Sequence, residues 1–225
     1  MNNDQRLTNA FSTAGKECGY DSVTAEFTET KEFKVKWRRS CGWAEFKVSD
    51  YLKDAPESVL LGLAKLIFSR ISGMKIKYPK EMQDWITSET FVKKAQPLYM
   101  ARSRNMTRTT AGEHKDLNES YQRLIDSGLV ERDESLKITW TKRPNTRRIG
   151  FCSVLCKVIC ITSAIDNPDV PDFVVDYILY HELCHLKKRF DPFGESHDIA
   201  FRLLEDKFEK KADAEKILAK LRLIL

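Results

Sequence analysis

The chain has 225 residues, 42% of them hydrophobic and 32% charged, a balance that excludes a disordered tail and suits one sizeable domain or a core domain with a helical extension. A formal net charge of +5 permits an acidic partner without demanding one. The first residues, Met-Asn-Asn-Asp-Gln-Arg, do not read as a secretory signal and no run of about 18 apolar residues could span a membrane, so a cytoplasmic setting is expected.

Residues 1–20 lack clear periodicity and read as a loose lead-in to a single domain over 21–225. Residues 33–48 alternate: Phe33, Val35 and Trp37 against Lys34, Lys36 and Arg38, then Ala44, Phe46 and Val48 against Glu45 and Lys47. With Ser40-Cys41-Gly42 as the turn, this predicts a hairpin with one buried face. Asp54-Ala55-Pro56-Glu57 predicts a helix start, with Asp54 as N-cap and Glu57 completing a capping box. Val59, Leu60, Leu61, Leu63, Leu66, Ile67, Phe68 and Ile71 put apolar groups on nearly every side of that helix, which predicts burial, and Gly73 ends it. Short helical stretches follow Pro79 and cover 88–96. A clearer helix spans 115–127 with Leu117, Tyr121, Leu124 and Ile125 as its stripe and Gly128 as its stop.

Strand signals return at Leu136, Ile138 and Trp140, then over 148–154 and 157–165. The segment 166–171 breaks the pattern and places Pro171 at the first turn of a helix over 172–188. A loop with Pro192 and Gly194 and one or two amphipathic helices complete the chain. No internal repeat is evident. The element order predicts an α+β fold with a small, mostly antiparallel or mixed sheet. Cys18, Cys41, Cys152, Cys156, Cys160 and Cys184 contain no Cys-x-x-Cys pair and are expected to be reduced, mostly buried small apolar residues.

Residues 181–185 read His-Glu-Leu-Cys-His. On a helix, i and i+4 share a face, so His181 and His185 can reach one metal ion, while Glu182 is rotated by about 100° and can approach a water beside that ion. A catalytic zinc wants about three protein ligands and one open position, with a carboxylate to accept the proton of an acidified water. Val174, Val175, Ile178, Leu179, Leu183 and Leu186 lie mostly away from the histidines and predict that the helix buries its back. His197, 12 residues after His185, is favoured as third ligand. Glu205 is the alternative, since zinc also accepts His-His-Glu sets. His114 is expected in solvent.

Over roughly 136–208 the chain resembles the SprT-like zinc metallopeptidases and the related YgjP-type small zincins. The resembling pieces are Leu-Lys-Ile-Thr-Trp140, Arg147-Arg148-Ile-Gly150, Ile159-Cys-Ile-Thr162, the run from Val170 through His181-Glu-Leu-Cys-His185, and Glu195-Ser-His197-Asp-Ile-Ala-Phe201. The hairpin and helix over 33–72 are similar to the N-terminal half of such proteins, with 73–130 as a helical insertion or elaboration and 131–210 as catalytic core. The chain departs from the family at its Gly-Ser-Cys-Ser turn, which here reads Gly150-Phe-Cys152-Ser153 and is followed by Val154-Leu155-Cys156 in place of the usual polar residues. The resemblance implies a minimal zincin, with His181, His185 and His197 as zinc ligands and Glu182 as base.

The expected activity is therefore zinc-dependent hydrolysis of a peptide or protein substrate, the peptide lying along an edge strand near 157–165. Tyr177 and Tyr180 are candidate oxyanion donors, with core packing as the commoner role for such residues. Two other readings stand beside this one. Some SprT-like proteins act on DNA-bound proteins, and Arg102, Arg104, Arg108, Lys142, Arg143, Arg147 and Arg148 with Trp140 form a basic stretch with an aromatic suited to DNA. The other is a non-catalytic zinc module that docks a partner. The C-terminal stretch 212–225, with Ile217, Leu218, Leu221 and Ile224, would pack over the cleft or complete the core.

Overall fold

A computed structural model of the chain describes residues 2–74, 76–188, 190 and 197–221. Among them are eight α-helices and two three-stranded sheets, an α+β architecture. The chain divides into two compact units, Met1–Arg102 and Ser103–Leu225. That division falls inside the stretch 73–130.

In the first unit, the expected loose lead-in is a helix, α1 (Asn3–Glu17), N-capped by Asn2. Leu7, Phe11 and Ala14 form a buried stripe with only two large side chains among polar ones, too sparse to stand out as a period. The helix covers the outer edge of β1 (Ser22–Thr28): the Thr8 hydroxyl accepts from Ala25 N (3.1 Å), and the Asp4 carboxylate accepts from Phe27 N (2.9 Å). Gly15 permits that approach, since a Cβ there would stand 2.6 Å from Val23 Cγ2. The predicted hairpin is β2 (Val35–Ser40) and β3 (Trp43–Ser49), turned at Gly42 with φ +77. Only β3 buries its apolar face, through Ala44, Phe46 and Val48. Strand β2 lies at the sheet edge and leaves Trp37 42% exposed.

Helix α2 (Glu57–Ile71) begins at Pro56 without a side-chain cap. The residue before a proline is held extended, so the helix cannot start at Asp54, whose carboxylate instead accepts from Lys94 Nζ at 2.7 Å. Phe46 packs between Phe11 and Phe68, with ring centroids 4.6 and 5.2 Å away. Helix α3 (Lys80–Ile86) leads to α4 (Glu89–Arg102), which runs through Pro97 rather than ending before it. Pro97 faces solvent, where water can satisfy the carbonyl its missing N–H leaves free. Arg102 closes the helix on Asp50 through two bonds of 2.7 and 2.6 Å.

In the second unit, α5 (Leu117–Asp126) is capped by Asp116 and stopped by Gly128 at φ +74. Strands β4 (Lys137–Trp140), β5 (Gly150–Ser153) and β6 (Val158–Ile161) form a sheet in the order β4-β6-β5. Helix α6 (Asp172–Lys187) follows Pro171 and is the centre of the unit, packing against α5, β5, β6, α7 (Ile199–Glu205) and α8 (Lys211–Lys220). Its buried residues run without a break from Val174 to Cys184, so it is enclosed on all sides rather than on its back alone. Helix α8 completes this core through Ala214 and Leu218, Leu221 is exposed, and Ile224 lies outside the described residues.

The two units share one plan. Each runs helix, three strands, a 3-10 turn and three helices, and each sheet places its last strand between the other two. In both, the first strand is parallel to the last, with Ser22 opposite Trp43 and Lys137 opposite Val158, the same separation in sequence. The helix after each sheet starts behind a proline, Pro56 or Pro171, with an acidic first residue. Each sheet thus holds one parallel and one antiparallel pair, so the sheets are mixed, not mostly antiparallel. The repetition is one of architecture. The tenth residue of α6 is His181, whereas the tenth of α2 is Leu66, so no side-chain pattern advertises it.

Candidate metal centre

Helix α6 carries His181 and His185 one turn apart. The third histidine returns through a clamp between helix ends. Asp198 caps α7 by accepting from Phe201 N (2.9 Å), and its carboxylate also pairs with Lys188 Nζ (2.9 Å), the residue that caps the end of α6. This tie puts His197 beside His185, with Nε2 to Nε2 at 3.3 Å. The loop with Pro192 and Gly194 lies outside the described residues. His181, His185 and His197 each offer a ligand nitrogen, all within 4.8 Å of one another, and could hold a metal ion. Phe201 floors the cluster, its ring centroid 5.0, 4.6 and 4.6 Å from the imidazoles of His181, His185 and His197.

The donor set fits such an ion. Nitrogens about 2.0–2.1 Å from a tetrahedral ion lie roughly 3.4 Å apart, close to the His185–His197 separation. Burial, then the neighbouring His181 and His197, pushes His185 down to about 4, and burial and His181 also lower His197. Both rings are neutral near pH 7 and keep a lone pair for a cation. His181 is buried, His185 half-buried and His197 exposed, so the cluster opens to solvent on one side. The cysteines do not join it. Burial pushes Cys184 up to about 12, leaving a thiol rather than a thiolate. Cys156, Cys160 and Cys184 are buried, whereas Cys18 and Cys41 are exposed, so burial is less general than expected; no disulfide joins any of the six.

Glu182 is buried, and burial raises its carboxyl to about 7 against the opposing charges of His181 and Arg148. A cation on the histidines would pull it back towards the ionised form. Its carboxylate lies against β5 at Gly150, where a Cβ would stand 2.4 Å from Oε1.

Glu205 is not part of the ligand cluster. Its Oε1 accepts from His181 Nδ1 at 2.6 Å and from the Tyr177 hydroxyl at 3.0 Å, while Oε2 accepts from Lys211 Nζ at 2.6 Å. Burial raises this carboxyl, but the bonds from His181, Lys211 and Tyr177 outweigh it and hold the group at about 2. Nor are the tyrosines placed for an oxyanion. Tyr177 donates to Glu205 and Glu215, and Tyr180 to Leu204 O at 2.7 Å, both as core residues. His114 is exposed, as expected.

Two expected surfaces change. Strand β6, within the 157–165 stretch assigned to substrate, is the middle strand with both edges paired, and β5 is the edge strand that lies against Glu182. The basic stretch loses its aromatic, since Trp140 is 1% exposed and its indole donates to Thr110 O at 2.7 Å. Arg102 also leaves it, bound to Asp50 in the first unit, whereas Arg104, Arg108, Lys142, Arg143, Arg147 and Arg148 are exposed.

Among the described residues no helix is long and apolar enough to cross a membrane. Comparison with protein-family models, curated proteins and solved structures finds no match to this chain.

Proposed function

We propose that this protein is a zinc-dependent peptidase of zincin type that hydrolyses peptide bonds with Glu182 as general base. The observation that carries this reading is the convergence of three imidazoles, open to solvent on one side, next in sequence to a buried carboxylate that lies against an edge strand. Zinc, when bound, polarises a substrate carbonyl and acidifies water. His181, His185 and His197 would hold it. An extended peptide would add at β5, the edge strand, through backbone bonds. Glu182, beneath that strand at Gly150, would take the proton of the attacking water and pass it to the departing amine. Burial shields this carboxylate from bulk water and strengthens its response to nearby charge.

The purified protein is expected to contain one zinc per chain, and His197→Ala to lose most of it, as measured by elemental analysis. Glu182→Gln should retain the metal and lose about 10²–10⁴-fold in cleavage of an unfolded protein substrate. A metal-free parent, or a Glu182→Gln variant cutting at the parent's rate, would overturn the proposal. A zinc-loaded parent that cuts nothing would instead favour a non-catalytic metal module.

A further inference from the structure

We propose that Glu205 is a positioning residue that fixes the tautomer and ring orientation of His181, and that Lys211 holds it in place from the C-terminal helix. The inference rests on the metal-site reading above and assigns that site a support it otherwise lacks.

Imidazole offers a cation one nitrogen only when the other carries the proton. His181 Nδ1 faces Glu205 Oε1 at 2.6 Å, and a carboxylate can only accept, so the proton sits on Nδ1 and the lone pair on Nε2. This bond also fixes the ring about its side-chain torsions and makes Nε2 a better donor. The same geometry shows why Glu205 is not itself a ligand: it is bound to the ring nitrogen that cannot face the shared ion.

The carboxylate is in turn held from three helices. Tyr177 of α6 donates to Oε1, Lys211 of α8 donates to Oε2, and α7 carries the residue itself. Lys211 also binds Asp206 at 2.7 Å, which fixes the ammonium between two carboxylates. Neither His185 nor His197 has a comparable buried acceptor among the described residues. His181 is also the most enclosed of the three, so its ring has the least water available to replace a lost partner.

The test is zinc affinity of the full chain by chelator competition, with the His181 tautomer read by long-range ¹H–¹⁵N NMR on metal-free protein. The parent should show His181 protonated at Nδ1. Glu205→Gln, nearly the same shape, should bind zinc about 10–100-fold more weakly and show a mixed tautomer at His181. Lys211→Met, which removes one of the donors holding Glu205 but keeps the carboxylate itself, should weaken zinc by less and keep the Nδ1 tautomer. Should Glu205→Gln fail to fold, Glu205→Asp replaces it, with affinity expected between parent and a full loss. Zinc affinity of the folded Gln or Asp variant within about twofold of the parent, or a parent His181 protonated at Nε2, would overturn the assignment. These results leave the metal site standing if the parent binds zinc. A parent that binds none sinks both readings, and one that binds zinc without cleaving sinks only the peptidase.

Discussion

Gly150 is the residue on which the placing of Glu182, the proposed base, depends most directly. A methyl group there would meet Glu182 Oε1 at 2.4 Å and its Cγ and Cδ at 3.0 Å, so the carboxylate would have to move. Gly150→Ala is expected to cost about 1–3 kcal/mol and to lower cleavage while leaving zinc content unchanged, which melting and metal analysis would separate. Glu182 itself makes a second prediction. Its carboxyl is raised by burial from its ordinary 4.5 to about 7, so the folded metal-free state holds the proton longer than the unfolded chain does. That contribution is fully present below about 4.5 and disappears as pH rises through 7. Chelator-treated Glu182→Gln should therefore melt higher than the chelator-treated parent above pH 7, by roughly 3 kcal/mol or less, with the gain vanishing towards pH 4.5. A gain that instead grew on acidification would show that the carboxyl is not held up by burial. The His181-Glu182-x-x-His185 spacing was readable in sequence because helical geometry alone places it. The tie from Glu205 to His181 was not, since a carboxylate 24 residues away carries no local mark. Asp198 was recoverable, standing just before a helical run as an N-cap.

At the scale of elements, helix ends decide what the site becomes. Asp198 both caps α7 and binds Lys188 at the end of α6, so Asp198→Ala should cost about 1 kcal/mol of stability and lower zinc affinity by freeing His197. Denaturant unfolding and metal competition would check the two effects, and unchanged affinity would remove Asp198 from the account. Breaking Arg102–Asp50 is expected to be costlier, about 3 kcal/mol for Arg102→Ala, because Asp50 is left buried without its partner. Strong local signals yielded most helices and the β2–β3 and β5–β6 hairpins. What they did not yield was α1, whose stripe has only two large residues, or β1, which is recognised by its parallel partner β3 rather than by its own composition. Parallel pairing is a long-range fact. For the same reason the sequence could place a strand near 157–165 and not reveal that it was the middle one.

At the scale of the molecule, the second unit has its own core. Leu117, Trp140, Ile159, Val174, Ile178, Phe201 and Leu218 belong to one buried cluster, all beyond the division at Ser103. A fragment covering 103–225 is expected to fold and bind one zinc with the affinity of the full chain, measurable by competition. A fragment that stays unfolded would show that the division does not mark an independent unit. The shared plan of the two units bears also on how the chain reaches its native state. In each unit the last strand is both an arm of the hairpin and the central strand, so the hairpin presents the edge to which the parallel first strand adds. The hairpins differ in their turns: two residues join Ser40 to Trp43, and four join Ser153 to Val158. Docking of the first strand, at the same sequence separation in both units, is therefore the long-range step that completes each sheet.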